Sequence, residues 1–467
     1  MPVSQRRASN SCATVQANLA CILLSRFIAG GAAAPVVQNV GRLLRKGLRT
    51  TRLEVALPLK PRLPHVPKTI RGNMGPLFVR SLLVGLRINV LTVILQPFVL
   101  ALGGSVAFLG LLETLGGYRG LVPTLIQPGA GWLADRVGRK SLGMIAGGVT
   151  VFSLLLYAAA GRLGAVALLL PATVLVGLNA IGRPAMDALV VESVGSERVG
   201  WAYGLVSFGW AAAGVVASLG AGLLADRLGY APVFVITAIL EMVGLGFLAL
   251  GVRETLVRRQ QARLGPHEVR HLTLGWMAPP PSLRVFYLAV TIDSFFYGIG
   301  SALLYGFLAD RYGYTPFQFG VMTTLYSVTW MLAQLPAGRW ADRGRVKDLL
   351  VIAEGLNAVV IASWLLTQQF AAIAISMALL GVVGALWSPA LIAWIYARVP
   401  GEERAEEMGR LSALPGLFAI PAPWLGGLLY ERLGFAAPIG LNLIGALMAM
   451  AILAWGLGRE RRGYDNG

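Results

Sequence analysis

Charge is scarce in this chain: Asp, Glu, Lys and Arg make up 13% of its 467 residues, against about 25% in soluble domains. That excludes a globular fold facing water on all sides. Cysteine is nearly absent too. Cys12 and Cys21 lie close together near the start, which gives neither a disulfide framework nor a zinc cluster. Histidine is limited to 3 residues, and no G-x-x-x-x-G-K-S/T loop occurs, so an ATP-driven pump built on a P-loop is not supported. A driving force would then come from an ion gradient or from the substrate's own gradient. No metal or cofactor is expected.

What the chain has in excess is apolar surface. Hydrophobic residues make up 56%, mean hydropathy is +0.67, and the 58 glycines fall largely inside the apolar runs. Runs of about 20 apolar residues cross a bilayer as helices, and small residues let such helices approach closely. Twelve spans are expected, near 79–101, 105–132, 139–160, 164–191, 200–224, 231–252, 284–309, 317–340, 348–367, 370–397, 407–429 and 436–458. The class is all-α membrane protein. Loops on the N-terminal side carry most of the basic residues, among them Arg136, Arg139, Lys140, Arg258, Arg259, Arg343, Arg345, Lys347 and Arg461. Opposite loops hold Arg162, Arg227, Arg311 and Arg432. The positive-inside rule then puts both termini in the cytoplasm of a cell that carries this protein in its inner membrane.

A repeat sets the architecture. Gln127, Gly131, Ala134, Asp135, Arg136 and Lys140 recur as Gln334, Gly338, Ala341, Asp342, Arg343 and Lys347, about 207 positions on. Gly222-Leu223-Leu224 and Arg227-Leu228-Gly229 recur as Gly427-Leu428-Leu429 and Arg432-Leu433-Gly434, and Pro184-Ala185 as Pro389-Ala390, each about 205 positions on. Both copies run in the same membrane direction, a parallel repeat about an axis along the membrane normal. Two pseudo-symmetric six-helix bundles are therefore expected, 79–252 and 284–458, joined by a cytoplasmic linker at 253–283 and ending in a tail at 459–467. Residues 1–78 stand apart, with twelve Lys or Arg against the single acid Glu54. They read as a disordered basic extension, as sequence upstream of a start at Met74, or as a targeting segment or extra span.

The string Gly131-Trp-Leu-Ala-Asp135-Arg136-Val-Gly138-Arg139-Lys140 falls between spans 2 and 3. Gly131 leaves room for a neighbouring helix, Asp135 suits the amide groups of a helix N-terminus, and Gly138 permits the turn. The string resembles the signature loop of the major facilitator superfamily, a resemblance covering residues 79–458. It implies that Asp135 docks on the start of helix 11 and holds an outward-facing state, and that Arg139 pairs with Glu192 at the end of helix 4. The second copy departs from the pattern: Val346 stands four residues after Asp342, and Ala397 at the counterpart of Glu192. Gly338, Asp342 and Arg343 thus imply a weaker second latch.

Ionisable groups inside spans are costly and tend to mark a substrate or proton path. They are Arg87, Glu113, Arg119, Arg183, Asp187, Glu241 and Asp293. The family resemblance implies that spans 1, 4, 7 and 10 line a central cavity, which favours Arg87, Arg183, Asp187 and Asp293. Arg183 and Asp187 are one helical turn apart, and pairing with each other explains them equally well. Asp293 has no partner nearby in sequence and is the first candidate for proton coupling. Asn89, Gln96, Tyr297, Tyr305, Trp387 and Trp394 could shape a substrate site, although most aromatics in membrane helices pack or sit at interfaces. Trp387 precedes Ser388-Pro389, where a proline frees backbone groups that need a partner. His267-Glu268-Val269-Arg270-His271 spells the zinc-protease pattern. Its place in the linker, with His65 the sole further histidine, makes a surface helix the better reading.

The expected function is secondary transport of a small molecule by alternating access, not enzymatic catalysis. Proton-linked efflux of amphipathic compounds comes first. Import of a small organic anion or metabolite, or a non-transporting receptor on the same fold, are the alternatives. The expected partners are the substrate, the lipid bilayer and protons, with no nucleic acid and a monomeric chain.

Overall fold

The computed structural model describes residues 72–117, 119–194, 199–256, 279–399 and 404–464. These fall within one unit, His65–Gly467. The extension before residue 72 and the linker string His267–His271 lie outside the described residues. All regular structure among the described residues is helical, as lipid requires of a chain that must satisfy its own backbone.

Among the described residues ten helices are long and apolar enough to cross a membrane: Met74–Ala101, Arg139–Leu163, Val166–Glu192, Gly204–Leu228, Tyr230–Gly251, Pro281–Tyr312, Val346–Leu366, Phe370–Tyr396, Glu407–Leu433 and Ala436–Gly456. They are spans 1, 3–7 and 9–12. Span 2 is broken into Val106–Gly116 and Leu121–Val137, and span 8 is Pro316–Asp342. Together they form the expected twelve. The break in span 2 follows from its sequence, since Gly116, Gly117 and Gly120 crowd one turn and weaken the helix there. Span 4 tightens into a 3-10 turn at Asn179–Gly182.

Span 1 begins five residues earlier than its apolar run suggests, at Met74. Its start is clasped by Asn73, which is fully buried. The Asn73 amide donates to Ser193 Oγ (3.0 Å) and to the Arg253 carbonyl (2.9 Å), and accepts from Arg253 N (2.8 Å). A chain starting at Met74 would lack this clasp between spans 1, 4 and 6.

The two six-helix halves meet along two seams, span 2 against span 11 and span 5 against span 8. Glycine makes the close approach possible. A Cβ at Gly427 would lie 2.7 Å from Ala107 Cα, and one at Gly222 would lie 2.9 Å from Phe317 Cα. A third tie joins the halves where Gln96 of span 1 donates to the Ala302 carbonyl and accepts from Gly306 N, both at 2.7 Å. These ties gather at the membrane face away from the two signature loops. That face is shut.

Candidate functional site

At the signature loop, Gly138 takes a φ of 101°, which a side chain would oppose. Its turn carries the chain from span 2 into span 3. Arg139 there forms an ion pair with Glu192 of span 4 and a longer one, 3.4 Å, with Asp135. The pair expected of Arg139 and Glu192 is therefore formed, and Thr255 Oγ1 also donates to Glu192 (2.6 Å). Arg136 lies over the Trp132 ring at 3.8 Å, and Lys140 Nζ donates to the Ala249 carbonyl at 2.6 Å. Asp135 itself is half exposed, its side chain 53% accessible, and is bonded within its own loop.

Sequence reasoning missed Glu254. Its carboxylate accepts from Arg139 N (3.2 Å) and Lys140 N (3.0 Å), the first two amides of span 3. An anion there satisfies orphan donors and complements the helix dipole. Glu254→Ala is expected to cost about 1 kcal/mol, the usual worth of a helix cap, read as a lower unfolding temperature in detergent, with Glu254→Asp retaining part of it. Among the described residues no carboxylate caps the start of span 9 in this way. Arg345 pairs with Asp348 (3.3 Å) on an exposed surface; Gly338 and Asp342 lie at the end of the span 8 helix, Arg343 caps it, and Gly344 follows at φ 77°.

Deep in the N-terminal half, Glu241 of span 6 is flanked by two guanidinium groups of span 1. Arg80 Nη2 lies 2.5 Å and Arg87 Nε 3.2 Å from its carboxylate, with side chains 6% exposed or less. Space for Arg80 is left by glycines, since a Cβ at Gly147 or Gly244 would come within 3.3 or 2.8 Å of its guanidinium. Arg87, expected to face the cavity, is thus an internal counterion. Asn89 is buried as well, donating to the Gly85 carbonyl one turn earlier (2.8 Å). Arg183 and Asp187 are exposed on span 4 and interact electrostatically, and Arg183 also acts on Arg87.

Between the halves a second group forms. Arg119, at the break of span 2, donates to Ser294 Oγ of span 7. It lies within electrostatic reach of Asp293 and Tyr297, and Glu113 acts on the same tyrosine. Glu113, Arg119, Asp293 and Tyr297 therefore share one neighbourhood, to which Tyr326 of span 8 adds a hydroxyl. Asp293 is half-buried and has no ion-pair or hydrogen-bond partner among the described residues. Beside it lies Glu354 of span 9, 4% exposed, which accepts a hydrogen bond from Asn357 (3.4 Å). Glu354 was not among the sequence candidates. Trp387 is half-buried against the apolar core of the C-terminal half.

The Major Facilitator Superfamily profile matches residues 77–292 and again 285–466, once per half. The chain is 24% identical over 345 residues to "Multidrug resistance protein MdtG" of Salmonella paratyphi B, covering 73% of this chain and 84% of that protein, and matches the protein of the same name from Salmonella typhi to the same extent. Among solved structures it resembles the nucleoside transporter NupG (TM-score 0.67, 14% identity, 82% of this chain and 98% of that one). The D-xylose-proton symporter is similar at TM-score 0.64 and 15% identity, over 83% of this chain and 98% of that one. A profile matched in both halves, an all-helical fold in two bundles and a paired Arg139–Glu192 at the signature loop lead to one conclusion: the chain belongs to the Major Facilitator Superfamily and is a multi-pass membrane transporter, not an enzyme.

Proposed function

We propose that this transporter expels amphipathic compounds in exchange for protons, rocking its halves around a site between spans 2, 7 and 8. The observation that carries this reading is Asp293, a carboxylate inside the membrane that has no ion-pair partner among the described residues and lies beside Arg119 and Glu354. Such a group binds and releases a proton as its access to water changes. The half-exposed tyrosine ring of Tyr297 next to it supplies apolar surface for an amphipathic guest. The relatives named for multidrug resistance support the same substrate class. For a protein of the inner membrane, the basic loops support an orientation with both termini in the cytoplasm. In that orientation the shut face is the outer one, and Asp135 engages helix 11 when the cavity opens outward.

Asp293→Asn is expected to reduce proton-driven ethidium efflux from proteoliposomes to background while ethidium exchange at equal pH persists. Unchanged proton dependence in the variant would remove Asp293 from the mechanism. The second reading, uptake of a small organic anion, is favoured by the exposed Arg183 on span 4.

A further inference from the structure

The signature string is not confined to the loop that names the family. Gly131-x-x-x-Asp135-Arg-x-Gly138 has the same spacing as Gly222-x-x-x-Asp226-Arg-x-Gly229 and Gly427-x-x-x-Glu431-Arg-x-Gly434. Each ends a helix on a glycine of positive φ: 101° at Gly138, 79° at Gly229 and 81° at Gly434. The first copy stands at one membrane face and the other two at the opposite face, at the ends of spans 5 and 11.

At that opposite face both acids are docked on the other half of the protein. Asp226 of span 5 accepts from Phe317 N of span 8 at 3.1 Å, and Glu431 of span 11 accepts from Ala107 N of span 2 at 2.8 Å. The two acceptors fill the same vacancy. Span 8 opens on Thr315, whose hydroxyl accepts from Gln318 N, while Pro316 has no amide hydrogen to place. Span 2 opens on Ser105, whose hydroxyl accepts from Phe108 N. In both helices the residue two past the cap is left for a carboxylate from across the seam, at the positive end of the helix dipole. One turn before each acid, Gly222 and Gly427 let the backbones close up. Asp135, by contrast, is bonded within its loop and half exposed, and Asp342 is exposed. One pair of acids is engaged while the other is not.

We infer that Asp226 and Glu431 are gating residues, a pair of latches that hold this face shut by capping spans 8 and 2 of the opposite half, and that they release when the signature-loop latch engages. The string alone is insufficient: Gly306-x-x-x-Asp310-Arg-x-Gly313 has it too, yet Asp310 accepts from Tyr430 of its own half (2.7 Å). Position at a seam makes the latch. The inference rests on alternating access but not on the proton-linked reading, and the test keeps them apart.

The experiment is pulsed EPR on the full chain in lipid nanodiscs, with Cys12 and Cys21 changed to serine and spin labels at Leu228→Cys and Tyr312→Cys on either side of the shut face. Asp226→Ala/Glu431→Ala is expected to raise the ratio of long to short label separations on the order of tenfold, as loss of charge-assisted hydrogen bonds predicts. Asp226→Glu, which keeps the acceptor, should restore much of the short population. Asp135→Ala should move the ratio the opposite way. A folded double-alanine variant with an unchanged distance distribution overturns the latch, while a response to Asp135→Ala in the same assay would leave alternating access standing. Ethidium efflux insensitive to a proton gradient, with the latch result intact, would defeat the proposed coupling alone.

Discussion

Glu241→Gln is expected to destabilise the folded transporter by about 3–5 kcal/mol, the cost of removing one partner of a buried ion pair. Glutamine keeps the size of the side chain and a hydrogen-bond acceptor, but not the charge. Arg80 and Arg87 would then face each other, each no more than 6% exposed, without a shared anion. Arg80 cannot turn outward easily, because it fills the space left by Gly147 and Gly244. Arg87→Gln is expected to be far milder, since Arg80 and Glu241 would remain one to one. Thermal unfolding in detergent should rank the two variants in that order. A Glu241→Gln protein as stable as the parent would show that the three charges are not a structural unit.

Gly222→Leu is expected to abolish transport while leaving the protein folded. At this position the new Cβ would meet the first turn of span 8, 2.9 Å from Phe317 Cα and nearer still to the Pro316 carbonyl. Backbone cannot yield as a flexible side chain can, so the seam between spans 5 and 8 would be wedged apart. The wedge acts between the halves and not inside one bundle, so the variant should be held open at this face. Flux requires both faces to close in turn, and it should fall to background in proteoliposomes. The spin-label pair at this face should show the long separation only. Retained transport would mean that the seam opens and closes with more slack than the structure shows.

The architecture was legible because a membrane leaves few choices. Apolar length fixes a span, and the repeated loop strings fix the order of the halves. Boundaries were less legible where polar clasps decide them. Span 1 starts before its apolar run because Asn73 anchors it to Ser193 and Arg253, contacts about 120 and 180 residues away that no local pattern reveals. The Arg139–Glu192 pair could be foreseen, since a family pattern places both. Glu254, which caps the same helix, could not, because it arrives from the end of span 6. Arg87 reads as a cavity group in the sequence for a similar reason: its partner is in span 6 and its companion Arg80 lies at the expected edge of the membrane. Glu354 escaped notice among the apolar residues of span 9, where only three-dimensional proximity to Asp293 sets it apart. The latches at spans 5 and 11 were visible as a repeat, yet their likeness to the signature loop gained meaning only once Asp226 and Glu431 were seen on opposite-half helices.

The measurement that bears most directly on the whole account is flux through purified protein in sealed liposomes under an imposed proton gradient, with a panel of lipophilic cations beginning with ethidium. The account predicts accumulation that requires the gradient, collapses on adding an uncoupler, and is lost in both Asp293→Asn and Gly222→Leu. Folded wild-type protein that moves no member of the panel, with or without the gradient, would contradict it.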